Sequence, residues 1–152
     1  MLRPGTPAPD LELRDRHGRL FRLSSLKGHK NAVLFFYPND NGMVCTKEAC
    51  AFRDAFEEFV GLGTVVIGVS RQGQASHERF ARQFDLPFEL LCDEQGDAHK
   101  AFGVGRWLML LSDRITFVID RQGIIRATVQ SMLSAQVHVR KALRALEDQR
   151  SA

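Results

Sequence analysis

Apolar and polar residues alternate from Asp10 to Arg14, with Leu11 and Leu13 on one side, and again from Leu20 to Leu23. Asp15-Arg16-His17-Gly18 between them is turn chemistry, so the two stretches predict a small β-hairpin. Pro4, Pro7 and Pro9 ahead of it favour an extended lead-in, and Ser24 to Gly28 predicts a short helical turn stopped by glycine. The pattern then changes. Ala32 to Tyr37 reads AVLFFY, a continuous apolar run that predicts a strand buried on both faces, in the middle of a sheet with helices on either side. Thr64 to Val69, TVVIGV, predicts a second such strand. Between them, Met43 or Val44 to Val60 predicts a helix ended by Gly61 and Gly63. With Cys45 at zero and about 100° per residue, Ala49, Phe52, Phe56 and Phe59 fall within about 40° of it, and Cys50 lies about 140° away, off the apolar stripe.

Ala75 to Phe84 predicts an amphipathic helix through Phe80 and Phe84, and Leu86 to Leu91, with Pro87, a short strand or extended segment. Gly96 to Phe102 predicts another helix, closed at Gly103. Arg114 to Ile119 predicts a strand, Asp120 to Gly123 a turn, and Ile124 to Thr128 the strand that pairs back. Ser134 caps a final helix to about Gln149, with Val139, Leu143 and Leu146 facing inward. The order β-β-β-α-β-α-β-α-β-β-α implies an α/β fold with a central mixed sheet flanked by helices and an N-terminal hairpin. With no repeat, linker or low-complexity segment, residues 1–152 form one domain.

Composition adds exclusions. The chain has 152 residues, 44% hydrophobic and 26% charged, which suits a globular domain with a real core. No apolar run approaches a membrane span, and the start, MLRPGTPAPDLEL, lacks the apolar core of a signal peptide, so a cytoplasmic location is expected. The net charge is +3, but the basic residues are scattered, so no nucleic-acid partner is expected. Cys45, Cys50 and Cys92 are an odd number of cysteines without a CxxC, which argues against a disulfide framework. His17, His29, His77, His99 and His138 each stand alone in the sequence; they read as surface residues, and no metal site is expected.

One stretch carries chemistry. FFYPNDNGMVCTKEAC runs from strand through a polar, glycine-containing turn to a cysteine at a helix start. The free N–H groups and dipole there favour thiolate over thiol, which makes Cys45 a candidate nucleophile. The competing reading is a buried core cysteine. Here FYPNDNGMVCTKEACAFRD resembles the active-site segment of peroxiredoxins, in the bacterioferritin comigratory protein subgroup. Pro38 and Cys45 match that family's motif, and Thr46, Glu48, Ala49, Phe52 and Arg53 fit the helix that follows. The resemblance continues through VIGVSRQGQASHERFARQFDLPFELLCDEQGDAHKAFGV and RITFVIDRQGIIR, nearly the whole chain.

The resemblance implies a thioredoxin-like fold and a cysteine-dependent peroxidase for hydrogen peroxide and organic hydroperoxides, without metal, haem or flavin. It assigns Cys45 as the nucleophile that becomes a sulfenic acid and Arg114 as the cation beside it. Pro38, Gly42, Val44, Cys45 and Arg114 would surround the peroxide. It makes Cys50 the resolving cysteine of an intramolecular disulfide; relatives that resolve from the next helix carry a cysteine in the segment matching Glu78 to Gln83, where this chain has Ala81. Cys92 reads as structural. Gly42 departs from the family, which has Thr or Ser there, and Met43-Val44 replace its Pro-Gly. Trp107 to Leu111, WLMLL, reads as core packing or as an apolar rim beside the site. A thioredoxin- or glutaredoxin-type reductant and a monomer or weak homodimer complete the expectation. Its rivals are a thiol–disulfide oxidoreductase, against which the missing CxxC counts, and a non-enzymatic module on the same scaffold.

Overall fold

The structure is a computed structural model that describes residues 1–40, 42–107, 111–112, 114–131 and 134–150, without the side chains of Val44, Cys45, Arg106, Trp107, Leu111, Ser112 and Arg150. Along the chain come β1 (Glu12–Asp15), β2 (Leu20–Arg22), a 3-10 turn (Leu23–Leu26), β3 (Asn31–Phe36), α1 (Met43–Asp54), α2 (Phe56–Gly61), β4 (Thr64–Ser70) and α3 (Gln74–Gln83). Then follow β5 (Glu89–Cys92), α4 (Asp97–Ala101), β6 (Arg106–Trp107), β7 (Leu111–Ser112), β8 (Ile115–Ile119), β9 (Ile125–Gln130) and α5 (Ala135–Arg150). Seven strands form one mixed sheet in the order β2-β1-β5-β4-β3-β8-β9, and β6 and β7 pair apart from it. β3, β4 and β5 run parallel, β8 pairs antiparallel with β3, and β9 pairs antiparallel with β8.

β3 lies between β4 and β8, and all six of its residues are buried. Its alternation sends Val33 and Phe35, with Tyr37 after them, into a core shared with α1, α3 and α5, and Ala32, Leu34 and Phe36 into a second core under α4. On the first face the Phe35 ring stacks on Phe52 of α1, with centroids 4.6 Å apart and planes 13° off parallel. Gly68 of β4, paired with Phe35, leaves room for that ring: a Cβ there would lie 2.8 Å from Phe35 Cζ and 2.7 Å from Leu90 Cδ2. Phe35 therefore fixes how α1 rolls on the sheet, and with it where the first turn of α1 points.

The helix expected to run unbroken to Val60 instead breaks at Ala55 (φ −95°, ψ 6°) into α1 and α2. A straight helix of that span would be about 27 Å long, against about 20 Å for the strand beneath it. The break turns Phe59 back onto Phe52, centroids 5.7 Å apart, and leaves Phe56 only partly buried. β5 starts later than expected, at Glu89, so Pro87 with its missing N–H precedes the ladder. The β6–β7 ribbon joins Trp107 to Leu111, which the sequence reading did not give as strands. Whether that apolar run forms core or rim lies outside the described residues.

Candidate active site

The chain leaves β3 at Phe36 and reaches α1 through a loop held from beneath. Tyr37, 1% exposed, donates its backbone N–H to Val69 O at 3.1 Å. The buried Asp40 carboxylate accepts from the Tyr37 hydroxyl at 2.7 Å, from the Ser76 hydroxyl at 2.7 Å and from His77 Nδ1 at 2.7 Å. His77 Nε2 faces Leu91 O at 2.9 Å. Both ring nitrogens of His77 thus face acceptors, a carboxylate and a carbonyl. The Asp40 N–H in turn donates to the Gln72 side chain. Burial alone would raise the Asp40 carboxyl, but the hydrogen bond and charge of His77, with Ser76 and Tyr37, outweigh it and hold the group below its ordinary value.

Gly42 is the N-cap of α1, and its carbonyl accepts the first helical hydrogen bond from Thr46 N at 2.8 Å. It offers no side-chain cap. Its φ of −68° and ψ of 145° are extended backbone open to any residue, so nothing in the local conformation requires glycine. Cys45 is the third residue of α1, within the turn whose N–H groups have no intrahelical acceptor. The helix start is therefore where the sequence placed it. The Cys45 sulfur and the Val44 side chain lie outside the described residues, and with them the contacts expected between that sulfur, the peroxide and Arg114. Pro38 lies half-buried between Tyr37 and the loop.

Beneath the first turns of α1 lies a second polar cluster. Arg114, just before β8 and 5% exposed, donates from Nη1 to Glu48 Oε2 at 3.3 Å. Glu48 is fully buried, one turn along α1 from Cys45. Burial pushes its carboxyl up to about 7 despite the opposing charge and hydrogen bond of Arg114. His138 of α5 reaches within 3.9 Å of Glu48 Oε2. Its Nε2 donates to Ser131 O at 2.8 Å, and its Nδ1 accepts from the Thr116 hydroxyl at 2.7 Å. Burial first, then Arg114 and Lys141, lower its basicity against the Ser131 bond, so this ring is the neutral Nε2–H tautomer.

Three of the five histidines thus contradict the surface reading: His77, His99 and His138 are all fully buried. His99 bonds Asp93 Oδ2 at 2.6 Å. Each was legible as a helix-face residue. His77 precedes Phe80 and Ala81 by three and four positions, and His138 precedes Ala142 and Leu146 by four and eight, the spacing of one buried stripe. The other cysteines separate clearly. Cys50 is half-buried and unbonded. Cys92 is buried, its sulfur 4.0 Å from Asp15 O, and burial with the charges of Glu94, Asp40 and Asp15 pushes its thiol up to about 11. Among the described residues no three His, Cys, Asp or Glu side chains group to hold a metal, and no helix is long and apolar enough to cross a membrane.

Residues 4–128 match the model of the AhpC/TSA family. Peroxiredoxin Bcp of Bacillus subtilis (strain 168) is 41% identical over 151 residues, covering 95% of this chain and 94% of that protein. Chloroplastic peroxiredoxin Q of Oryza sativa subsp. japonica is 40% identical over 94% of this chain, which spans 66% of that relative's length. Among solved structures, peroxidoxin BcpB of Mycobacterium tuberculosis superposes with a TM-score of 0.92 at 36% identity, over 97% of this chain and 98% of that one. The Xanthomonas campestris bacterioferritin comigratory protein, solved as trapped intermediate/ligand complexes bearing on its alkyl peroxide reduction activity, superposes at 0.84 with 27% identity, over 91% of each chain.

The Asp40–His77 pair gives a prediction with a sign. A carboxyl held below its ordinary 3.8 stabilises the fold above that value and loses the effect as pH falls through its lower folded one. Asp40→Asn takes away the buried carboxylate that Tyr37, Ser76 and His77 all contact and should cost about 3 kcal/mol at pH 7. Urea unfolding at pH 7 and pH 3 checks this: the variant should lose less further stability to acid than the wild type.

Proposed function

The chain belongs to the AhpC/TSA family, and from that premise we propose that it is a thiol-dependent peroxidase that reduces hydrogen peroxide and organic hydroperoxides to water and alcohols. The observation that carries this reading is the placement of Cys45 in the open first turn of α1, above a buried arginine tied to the next turn of the same helix. The Cys45 thiolate attacks one peroxide oxygen. An S–O bond forms, the O–O bond breaks, and the departing oxygen takes a proton to leave as water or alcohol. Arg114 stabilises charge as it shifts from sulfur to the leaving oxygen, and the N–H groups of Val44 and Cys45 face the same space. Pro38 and Gly42 shape the loop around it.

Cys50 then attacks the Cys45 sulfenic sulfur, an S–S bond forms and water leaves. In a regular helix Cα atoms five residues apart are separated by about 8.7 Å, and a disulfide rarely tolerates more than about 7 Å. The first turns of α1 therefore unwind before the bond closes. A thioredoxin- or glutaredoxin-type dithiol reduces the product. Cys92, buried and with its thiol pushed up to about 11, stays out of the cycle. The chain needs no metal, haem or flavin, works as a monomer or weak homodimer, and resides in the cytoplasm, where the free Cys50 and Cys92 thiols would persist.

Cys45→Ser should abolish peroxide consumption with a dithiol reductant present, while Cys92→Ser keeps most of it. The reverse pattern overturns the assignment. Gly42→Thr supplies a hydroxyl at an N-cap whose backbone already suits threonine, beside the space assigned to the peroxide, where it can donate to the shifting charge. Its second-order rate of Cys45 oxidation, followed by stopped flow, should rise about tenfold or more.

A further inference from the structure

Glu48 lies between the two cysteines, in the segment that has to unwind, and it is the one residue of that segment whose charge is sealed in the core. Its carboxyl is fully buried, and Oε1 has no hydrogen-bond partner among the described residues. Oε2 has Arg114 at 3.3 Å and the neutral His138 ring at 3.9 Å. One arginine contact leaves the carboxylate half satisfied in a dry site, so the folded turn favours the acid form. Once the turn unwinds, water solvates both oxygens and the acid form loses that preference.

We propose that Glu48 is the proton-linked latch of α1: its buried carboxylic acid keeps the first turns folded, and loss of its proton releases them for disulfide closure. The inference rests on the peroxidase reading above, which supplies the need to unwind. The step balances. The Cys50 thiol proton leaves with the sulfenic oxygen as water when S–S forms, and the Glu48 proton passes to solvent as its carboxylate becomes exposed. Nothing is oxidised or reduced beyond the two sulfurs.

The sign follows from the direction of the shift. The folded carboxyl sits at about 7 and the solvated one at the ordinary 4.5, so stabilisation of the folded turn is complete below 4.5 and is lost as pH rises through about 7. Among the described residues, Arg114 just before β8 and His138 from α5 are the ionisable groups that face Glu48, and Cys45 lies one turn back on α1. His138, its basicity lowered by burial, works in the opposite sense, because protonation in acid favours opening. A comparison that leaves both in place isolates Glu48. The latch also sets the fate of the sulfenic acid: in acid the helix stays folded, and the sulfur waits longer for a second peroxide.

The test is amide hydrogen exchange over residues 43–54 of the reduced protein at pH 5 and pH 8, corrected for intrinsic exchange, in wild type and Glu48→Gln. The wild type should lose about 70-fold more protection than the variant across that interval, the ratio that carboxyls at about 7 and 4.5 give. Single-turnover disulfide closure should show the same bias in the wild-type to variant rate ratio, since both cysteines are the same in the two proteins. Equal pH profiles in exchange would overturn the latch. Mass mapping that finds no Cys45–Cys50 bond would overturn the resolving step and leave the exchange result standing on its own. Should Glu48→Gln not fold, Glu48→Met carries the same comparison with an apolar chain of similar length.

Discussion

A strand with no exposed residue has to be covered on both faces, and that constraint on β3 organises the molecule. Its alternate side chains define two cores, one roofed by α1, α3 and α5 and the other by α4. The Phe35–Phe52 stack, with Gly68 opening the space beneath it, locks α1 against the sheet. The loop from Tyr37 to Gly42 is then short and its endpoints fixed, so the first turn of α1 is delivered to the carboxyl end of β3, beside Arg114 at the start of the antiparallel neighbour β8. Placement of that turn is here a consequence of packing two aromatic rings.

Charge is buried around that turn at two places, and each is compensated differently. Asp40 meets His77 and two hydroxyls, and its carboxyl is held low. Glu48 meets one arginine contact and a neutral imidazole, and its carboxyl is pushed up to about 7. The first arrangement is a clamp that holds the loop; the second, among the described residues, leaves one carboxylate oxygen unpaired in the core. Buried polar groups that are fully paired rigidify, and those partly paired mark where structure yields. The segment with the half-paired group is the one that the proposed disulfide step asks to open.

Much of this was legible beforehand. The runs AVLFFY and TVVIGV became the central parallel strands, the N-terminal alternation became β1 and β2, and Ser134 accepts from Val137 N at 3.4 Å at the start of α5. The break at Ala55 was hidden because helical periodicity carries no information about the length of the sheet a helix has to match. The histidines were misread because each was weighed as a ligand or a surface group. A histidine on a buried stripe needs polar partners, and those of His77 and His138, Asp40 and Thr116, come from other elements of the chain, while Asp93 precedes His99 by six residues, off the helix. Glu48 stood out only through resemblance; its desolvation is a property of α5 and β8 closing over α1, which no local pattern contains.

The most direct measurement of the central claim mixes reduced protein anaerobically with one equivalent of hydroperoxide, traps sulfenic acid within milliseconds and locates the added oxygen by peptide mass mapping. The account predicts oxygen on Cys45 alone at the first time point, followed by loss of that species as Cys45 and Cys50 become linked. Oxygen appearing first on Cys92, or reaching Cys45 no faster than it reaches a free thiol, would contradict it.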